Sequence, residues 1–102
     1  MKIVEEKDFE SEIKTGVSLV DFYASWCGPC RIMGDILEDI AEELGEQVNV
    51  FKVNVDEAET LSRSYGIMSI PTLIIFKEGE MKEKHIGIWD QTDCVQSVKK
   101  YL

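Results

Sequence analysis

Apolar residues follow two different spacings along the chain, and these spacings distinguish predicted strands from predicted helices. Residues 19–24 and 48–55 are apolar segments rich in β-branched and aromatic side chains, so each predicts a central strand. Between them the apolar side chains recur at helical spacing, which predicts a helix that ends before Gly45. These helical positions are Ile32, Met33, Ile36, Leu37, Ile40, Ala41 and Leu44. A strand, a helix and a strand in this order form a right-handed unit with parallel strands.

Shorter elements are predicted for the second half of the chain. We expect Asp56 to cap a short helix that Gly66 closes. The inner face of this helix would consist of Ala58, Leu61 and Tyr65. Residues 72–76 and 81–86, joined by a turn at residues 78–79, predict an antiparallel hairpin at the edge of the sheet.

Helices are also predicted near both ends of the chain. Phe9 and Ile13 indicate a short helix before the first central strand, and Asp90 is expected to cap a terminal helix. One apolar face of the terminal helix would carry Cys94, Val95, Val98, Tyr101 and Leu102. Together these elements predict an α/β fold in which a single mixed sheet of about four or five strands is flanked by about four helices on both faces.

Length and composition favour one domain that spans residues 1–102. The chain is 44% hydrophobic and has no Pro, Gly or Ser-rich linker at which it could be divided. A chain of this size buries roughly 65% of the surface that its unfolded form exposes, so it can fold without a metal or a disulfide framework. We see no export signal at the start and no apolar run near the ~20 residues of a membrane span, so we expect neither export nor membrane insertion.

Charge and cysteine usage narrow the expected partners and the compartment. The formal net charge of −9 repels phosphate backbones and anionic lipid surfaces, so neither nucleic acid nor a membrane is an expected partner. The same acidity has a simpler explanation, since a solvated acidic surface keeps a small protein soluble. Three cysteines are an odd number, unlike the even framework of a secreted disulfide-rich domain. A reducing compartment, the cytoplasm, fits better.

Two cysteines lie at the predicted junction between the first central strand and the long helix. Free backbone N–H groups and the helix dipole favour an anion there, so the Cys27 thiol should ionise readily and, at the sheet edge, be exposed. Cys30 follows three residues later, about one helical turn, so the two sulfur atoms can bond reversibly. Gly28 gives backbone freedom, and Pro29 fits the first turn of a helix.

A C-x-x-C spacing alone leaves other classes of site open. Cys27, Cys30, Cys94 and His85 together number the four ligands of a Cys₃His zinc site, and an iron–sulfur cluster could join two chains. Against these, Cys94 is expected in the core of the terminal helix and His85 on an edge strand without ligand spacing. We therefore expect no metal and no other cofactor. A structural subunit or a disulfide-forming oxidant would keep the same fold.

Five segments in fixed order span nearly the whole chain: VDFYASWCGPC at residues 20–30, KVNVD at 52–56, YGIMSIPT at 65–72, FKEG at 76–79 and IG at 86–87. In order and spacing these segments resemble the thioredoxin family. The resemblance implies the thioredoxin fold and an enzyme that reduces protein disulfides. In the implied reaction the Cys27 thiolate attacks a target disulfide, and Cys30 then resolves the mixed disulfide.

The resemblance also assigns roles to two charged residues. Asp21 lies inside an apolar strand, where loss of solvent raises the pKa of a carboxyl group and makes it a proton acceptor near neutral pH. The match implies that Asp21 deprotonates Cys30 and that Lys52, on the neighbouring strand, moderates the shift. The alternative is that Asp21 and Lys52 form a buried structural ion pair.

A proline loop and an apolar rim are implied beside the cysteines. Because Ile70-Pro71-Thr72 matches the cis-proline loop of the family, we expect a cis Ile70–Pro71 bond, against the general preference for trans. The Ile70 main chain would then pair with an extended substrate segment. The rim implied for docking consists of Trp26, Gly28, Pro29, Ile70, Gly87 and Ile88.

Partners follow from the same resemblance, and some positions depart from it. The implied partners are disulfide-containing protein substrates and a thioredoxin reductase, usually a flavoprotein that uses NADPH, and the chain is expected to act as a monomer. Asp35, behind Gly34, stands where family members commonly have a helix-kinking proline. Tyr23 replaces a frequent Trp, and Trp89 is unusually bulky for its place near the docking loop.

Overall fold

Five strands form a single mixed sheet in the computed structural model, which describes all 102 residues. The strands are β1 (Lys2–Ile3), β2 (Val17–Tyr23), β3 (Asn49–Asn54), β4 (Thr72–Lys77) and β5 (Glu80–Ile86). In space they follow the order β1-β3-β2-β4-β5. Strands β1, β3 and β2 run parallel to one another, whereas β4 runs antiparallel to both β2 and β5. The predicted parallel unit and the predicted hairpin therefore share the central strand β2.

Four α-helices cover the two faces of this sheet. They are α1 (Phe9–Glu12), α2 (Gly28–Leu44), α3 (Glu59–Ser64) and α4 (Gln91–Lys99), with 3₁₀ turns at Glu6–Asp8 and Gly45–Gln47. None of these helices combines the length and the apolar character needed to cross a membrane. The predicted α/β class, with one mixed sheet between helices, is confirmed.

The core consists of two apolar layers separated by the sheet. Successive residues of a strand point to opposite faces, so Leu19 joins one layer and Val20 the other. One layer contains apolar residues of α2 and α4, including Met33, Leu37, Ile40, Cys94, Val95 and Val98. The other contains Phe9, Phe22, Phe51, Ala58, Ile74 and Phe76. Because both faces of β2 are covered, every β2 residue except Tyr23 is buried.

Three details of the helices differ from the sequence-based expectation. Asp56 does not cap α3, whose N-cap is Ala58 and has no side-chain cap bond, because the Asp56 carboxylate instead accepts a hydrogen bond from the Trp26 indole. Ile32 is more than half exposed and so is not on the inner face of α2. Leu102 lies beyond the end of α4 and is exposed, so it does not extend the apolar face of that helix.

The ends of the elements agree well with the capping residues read from the sequence. Asp90 caps α4 by accepting a hydrogen bond from the Asp93 N–H at 2.8 Å. Gly45 and Gly66 adopt positive φ values of 55° and 66° after α2 and α3. Strand β1 was not predicted, because two exposed residues leave no alternating pattern in the sequence.

Candidate active site

Cys27 and Cys30 lie where β2 gives way to α2, and they are paired as a disulfide with Cα atoms 5.2 Å apart. Cys27 is the N-cap of α2, and its sulfur accepts a hydrogen bond from the Cys30 N–H at 3.2 Å. An N-cap position places the sulfur at the positive end of the helix dipole. This position therefore favours the thiolate form of Cys27 once the disulfide is reduced.

The expectation that Cys27 is exposed is wrong in this state. The disulfide leaves Cys27 only 6% exposed and Cys30 only 3% exposed. The two cysteines pack with Ala24 and are partly covered by Val55 and Ile70. The two sulfur atoms therefore lie just beneath the surface, next to the side chains that cover them.

The proline loop approaches the same sulfur. The Ile70–Pro71 peptide bond is cis, as expected, and the Ile70 carbonyl oxygen lies 3.9 Å from Cys27 Sγ. Two hydrogen bonds hold the loop: the Thr72 hydroxyl donates to the Ser69 carbonyl at 2.7 Å, and the Gly87 N–H donates to the Pro71 carbonyl at 2.8 Å. The loop thus presents backbone polar groups beside the disulfide at a fixed position.

Asp21 is a fully buried carboxyl group on β2. Neither of its side-chain oxygens has a hydrogen-bond partner in the chain. Burial raises the pKa of Asp21 to about 7, and the nearby positive charge of Lys52 only partly offsets this rise. A carboxyl group with this pKa changes its protonation state close to neutral pH.

Lys52 is the β3 residue that pairs in register with Asp21, but the two side chains do not form a direct ion pair. The Lys52 ammonium group instead lies 4.3 Å from the centre of the Tyr23 ring, within cation–π range. The Lys52 ammonium group therefore contacts the Tyr23 ring, while its charge still lowers the pKa of the Asp21 carboxyl group. A structural ion pair, the alternative read from the sequence, does not form.

Sequence reasoning missed one contact of Trp26, a residue expected in the docking rim. The Trp26 indole N–H donates to the Asp56 carboxylate at 2.8 Å, while the Trp26 side chain remains 69% exposed. The same Asp56 donates its backbone N–H to the Asn54 side chain. The WCGPC and KVNVD segments were both visible in the sequence, but the pairing between them required the fold.

The other residues expected to form the docking rim differ in their exposure. Gly28, Pro29 and Ile88 are exposed, and Ile70 and Gly87 are half-buried. A cavity of about 790 Å³ is lined by residues of α1, α3 and the β4–β5 turn and contains neither cysteine. The site is therefore suited to docking a surface rather than enclosing a small molecule.

His85 and Trp89 form a pair that was not expected. Their rings stack with centroids 4.5 Å apart and an interplanar angle of 6°, and the ring of Trp89 is buried. His85 Nε2 lies 3.1 Å from the Ile88 carbonyl oxygen, and the Trp89 N–H donates to the Met33 sulfur at 3.3 Å. His85 lies on the edge strand β5, as expected, and is also in contact with the segment that carries Ile88.

Cys94 is not brought to the cysteine pair. It is fully buried on α4, and burial raises the pKa of its thiol to about 12, so it has the character of a core residue. The four residues of the zinc alternative do not converge, and no group of three or more His, Cys, Asp or Glu side chains is arranged to hold a metal ion. At Asp35 the helix α2 continues without interruption, and the Asp35 side chain is exposed.

Comparisons with known proteins agree with this geometry. The thioredoxin family model matches residues 1–100. The chain is 42% identical to a thioredoxin of Listeria monocytogenes over 102 residues, covering 100% of this chain and 99% of the relative. It is 40% identical to a thioredoxin of Staphylococcus epidermidis over 99 residues, covering 97% and 95% of the two chains. A solved mutant thioredoxin from Halobacterium salinarum superposes with a TM-score of 0.88 at 31% identity, covering 99% of this chain and 88% of that one.

Proposed function

The chain belongs to the thioredoxin family and is a thiol–disulfide oxidoreductase, and from this premise we propose that Cys27 is its attacking thiol and Cys30 its resolving thiol. The observation that carries the assignment is the N-cap position of Cys27, which stabilises a thiolate on that sulfur. Cys30 lies within the first turn of α2 and is less exposed than Cys27, which favours the second, internal step for it.

The reaction proceeds by two exchanges of sulfur partners. The Cys27 thiolate attacks one sulfur of a target disulfide, that S–S bond breaks, and the other target sulfur leaves as a thiolate. The Cys30 thiolate then attacks Cys27 Sγ, which breaks the mixed disulfide and releases the second target thiolate. Two electrons pass to the target, and the Cys27–Cys30 disulfide is formed.

Asp21 is proposed as the proton acceptor for Cys30. Its pKa of about 7 and its lack of hydrogen-bond partners support this role, because the carboxylate can bind a proton at neutral pH. Lys52 is proposed to keep enough of Asp21 ionised to accept that proton, through its charge and its contact with Tyr23. Both residues act on the second exchange rather than on the first.

Substrate docking is proposed over the rim around the disulfide. The Ile70 carbonyl, 3.9 Å from Cys27 Sγ, is placed to accept a hydrogen bond from an extended segment of the target. The apolar side chains of the rim would cover the segment on either side of its disulfide. The proposed rim residues are Trp26, Gly28, Pro29, Ile70, Gly87 and Ile88, and the buried loop residue Pro71 is proposed as a further substrate-binding residue.

Disulfide-containing proteins are the substrates, and a reductase restores the dithiol. A thioredoxin reductase is the partner that we propose for this second task. We further propose that the chain acts as a single domain and as a monomer, since one copy carries both cysteines. Its proposed location is the cytoplasm, where a reductase can keep the pair reduced.

The test follows reduction of the disulfides of insulin by a small dithiol, with and without the chain. Wild type should accelerate reduction, Cys27→Ser should not, and Cys30→Ser should accumulate mixed disulfides with the target. Cys94→Ala is the matched control, because its thiol is buried in the core, and it should remain active. An active Cys27→Ser variant would contradict the proposal that Cys27 is the attacking thiol.

A further inference from the structure

Met68 is an apolar side chain that the fold leaves almost entirely in solvent. It is 96% exposed, compared with 51% for Met1 and 49% for Met81. Met33, by contrast, is fully buried, and its sulfur accepts the Trp89 N–H. Exposure decides how readily an oxidant reaches a thioether, so Met68 should react first among the four methionines.

The loop that carries Met68 is held firmly on both sides. The Ile67 N–H donates to the Ser62 carbonyl at 3.0 Å, and Thr72 bonds to Ser69 as described above. The Lys84 ammonium group also donates to the Tyr65 and Gly66 carbonyls at 3.0 and 3.1 Å. These hydrogen bonds hold the backbone on both sides of Met68 and leave its side chain in solvent.

Met68 lies in the same loop as the carbonyl group that approaches Cys27 Sγ. Met68 precedes Ile70 by two residues, and the Ile70 carbonyl is the group 3.9 Å from Cys27 Sγ. A protein segment that pairs with Ile70 as proposed must pass over or beside Met68. The exposed methionine therefore belongs to the surface that a large substrate covers but a small disulfide does not.

We propose that Met68 is an oxidation site at which a peroxide converts the thioether to the sulfoxide and so weakens docking of protein substrates. The sulfur gives two electrons to the peroxide and forms an S–O bond. The O–O bond breaks, and the second oxygen takes up protons and leaves as water. The Cys27–Cys30 pair is not consumed in this step when it is present as the disulfide.

The effect of the sulfoxide follows from its polarity. A thioether is flexible and apolar, whereas a sulfoxide oxygen accepts hydrogen bonds and must lose its water when a substrate covers it. The inference rests on the proposed docking rim, since only a substrate that covers Met68 experiences this cost. We expect kcat/KM for a protein disulfide to fall about fivefold or more, because an unpaired buried polar group is unfavourable.

The experiment treats the disulfide form of the chain with hydrogen peroxide, removes the peroxide with catalase and measures three quantities. Peptide mass spectrometry gives the order in which methionines are oxidised. Rates are then measured on insulin and on a small aromatic disulfide, each relative to the untreated sample of the same variant. We expect Met68 sulfoxide first, a lower rate on insulin and an unchanged rate on the small disulfide.

Three variants separate Met68 from the rest of the chain. Met68→Leu cannot be oxidised at this site and should lose no insulin activity on treatment, whereas Met81→Leu should lose as much as wild type. Met68→Gln places a polar group there without oxidant and should lower the rate on insulin relative to its rate on the small disulfide. These comparisons use ratios within one variant, so a change in basal activity does not affect them.

Several outcomes would overturn the proposal. Met81 or Met1 reacting before Met68, an unchanged insulin rate on quantitatively oxidised Met68, or an equal loss on both substrates would each do so. Failure of the proposed function is distinguishable, because the untreated chain would then reduce neither disulfide.

Discussion

At the scale of single residues, burial of Asp21 makes its ionised form electrostatically unfavourable. The charged form of a fully buried carboxylate is disfavoured by loss of water, and no hydrogen bond from the chain compensates it. The positive charge of Lys52 offsets only part of the rise in the Asp21 pKa, since the Lys52 ammonium group faces the Tyr23 ring. The fold therefore maintains a carboxyl group with a pKa of about 7, and this tuning has consequences for stability as well as for reaction.

Asp21→Asn should change how stability depends on pH. With a folded pKa of about 7 against the usual 3.8, the folded state holds a proton that the unfolded state has lost between these values. The wild-type free energy of unfolding should therefore decrease as pH rises from about 4 to about 7, by about 4 kcal/mol at most. The asparagine side chain cannot ionise, so the free energy of unfolding of this variant should not show this decrease with pH. The variant should therefore be more stable than wild type at pH 8.

Urea unfolding of both proteins in the disulfide form, at several pH values, measures this difference. The charged surface residues are common to both chains, so their contribution to pH dependence cancels in the comparison. Equal slopes between pH 4 and pH 7 would contradict a raised pKa at Asp21.

Single residues of the site were predictable when their chemistry is set by local sequence. The paired cysteines, the N-cap position of Cys27 and the acid in an apolar strand all depend on neighbours within one or two elements. The Trp26–Asp56 bond and the His85–Trp89 stack could not be predicted in this way. The first joins residues 30 positions apart, and the second depends on how β5 turns toward α4. The exposure of Met68 likewise depends on the loop around it.

At the scale of elements, the strength of the hydrophobic pattern decided what the sequence could predict. Strands β2, β3 and β4 and helix α2 were predicted because each carries a long apolar run or a sustained helical period. Helix α3 was placed correctly but given the wrong cap, because the Asp56 side chain has a partner in another segment. Strand β1 is too short for any pattern to reveal it.

Replacing either of two glycines by alanine should change the free energy of unfolding in opposite directions. At Gly34, inside α2, an added Cβ would lie 3.5 Å from Lys52 Nζ, which is an ordinary contact with the mobile end of a side chain. Gly34→Ala should therefore raise the free energy of unfolding by about 0.5 to 1 kcal/mol, through higher helix propensity. Gly66 has a φ of +66°, so Gly66→Ala should lower it by about 1 kcal/mol.

Thermal and urea unfolding of the two variants and of wild type measure both changes in the free energy of unfolding. A destabilised Gly34→Ala variant would indicate that Lys52 cannot yield and is fixed more firmly than its contact with the Tyr23 ring implies.

At the scale of the whole molecule, acidic side chains outnumber basic ones. The chain has 20 acidic and 11 basic residues. Helix α2, which begins at the cysteine pair, contributes the exposed acids Asp35, Glu38, Asp39, Glu42 and Glu43 against a single basic residue, Arg31. At long range an approaching substrate therefore meets the field of a chain with a net charge of −9. This field should favour positively charged targets through their rate of encounter rather than through contacts at the rim.

Ionic strength separates these two effects, because the screening length changes relative to the size of the molecule. The chain measures 29 × 28 × 19 Å. At about 0.01 M salt the Debye length is about 30 Å, so the whole charge acts on a substrate, whereas at 1 M it is about 3 Å and only contacting charges matter. Two peptides with the same disulfide loop, flanked by lysines in one and by glutamates in the other, should differ about tenfold in kcat/KM at low salt, the lysine peptide being faster.

The tenfold difference should shrink steadily as salt is added, while an uncharged small disulfide shows no such change. The control matters because salt could also alter the thiolate itself, which would affect all three substrates equally. A preference that persists at 1 M salt would place the discrimination in direct contacts at the rim, and equal rates at low salt would mean that the acidic surface serves solubility alone. Because the two peptides carry the same disulfide loop, the part of their rate difference that salt removes reports their approach to the site and not the chemistry of the exchange.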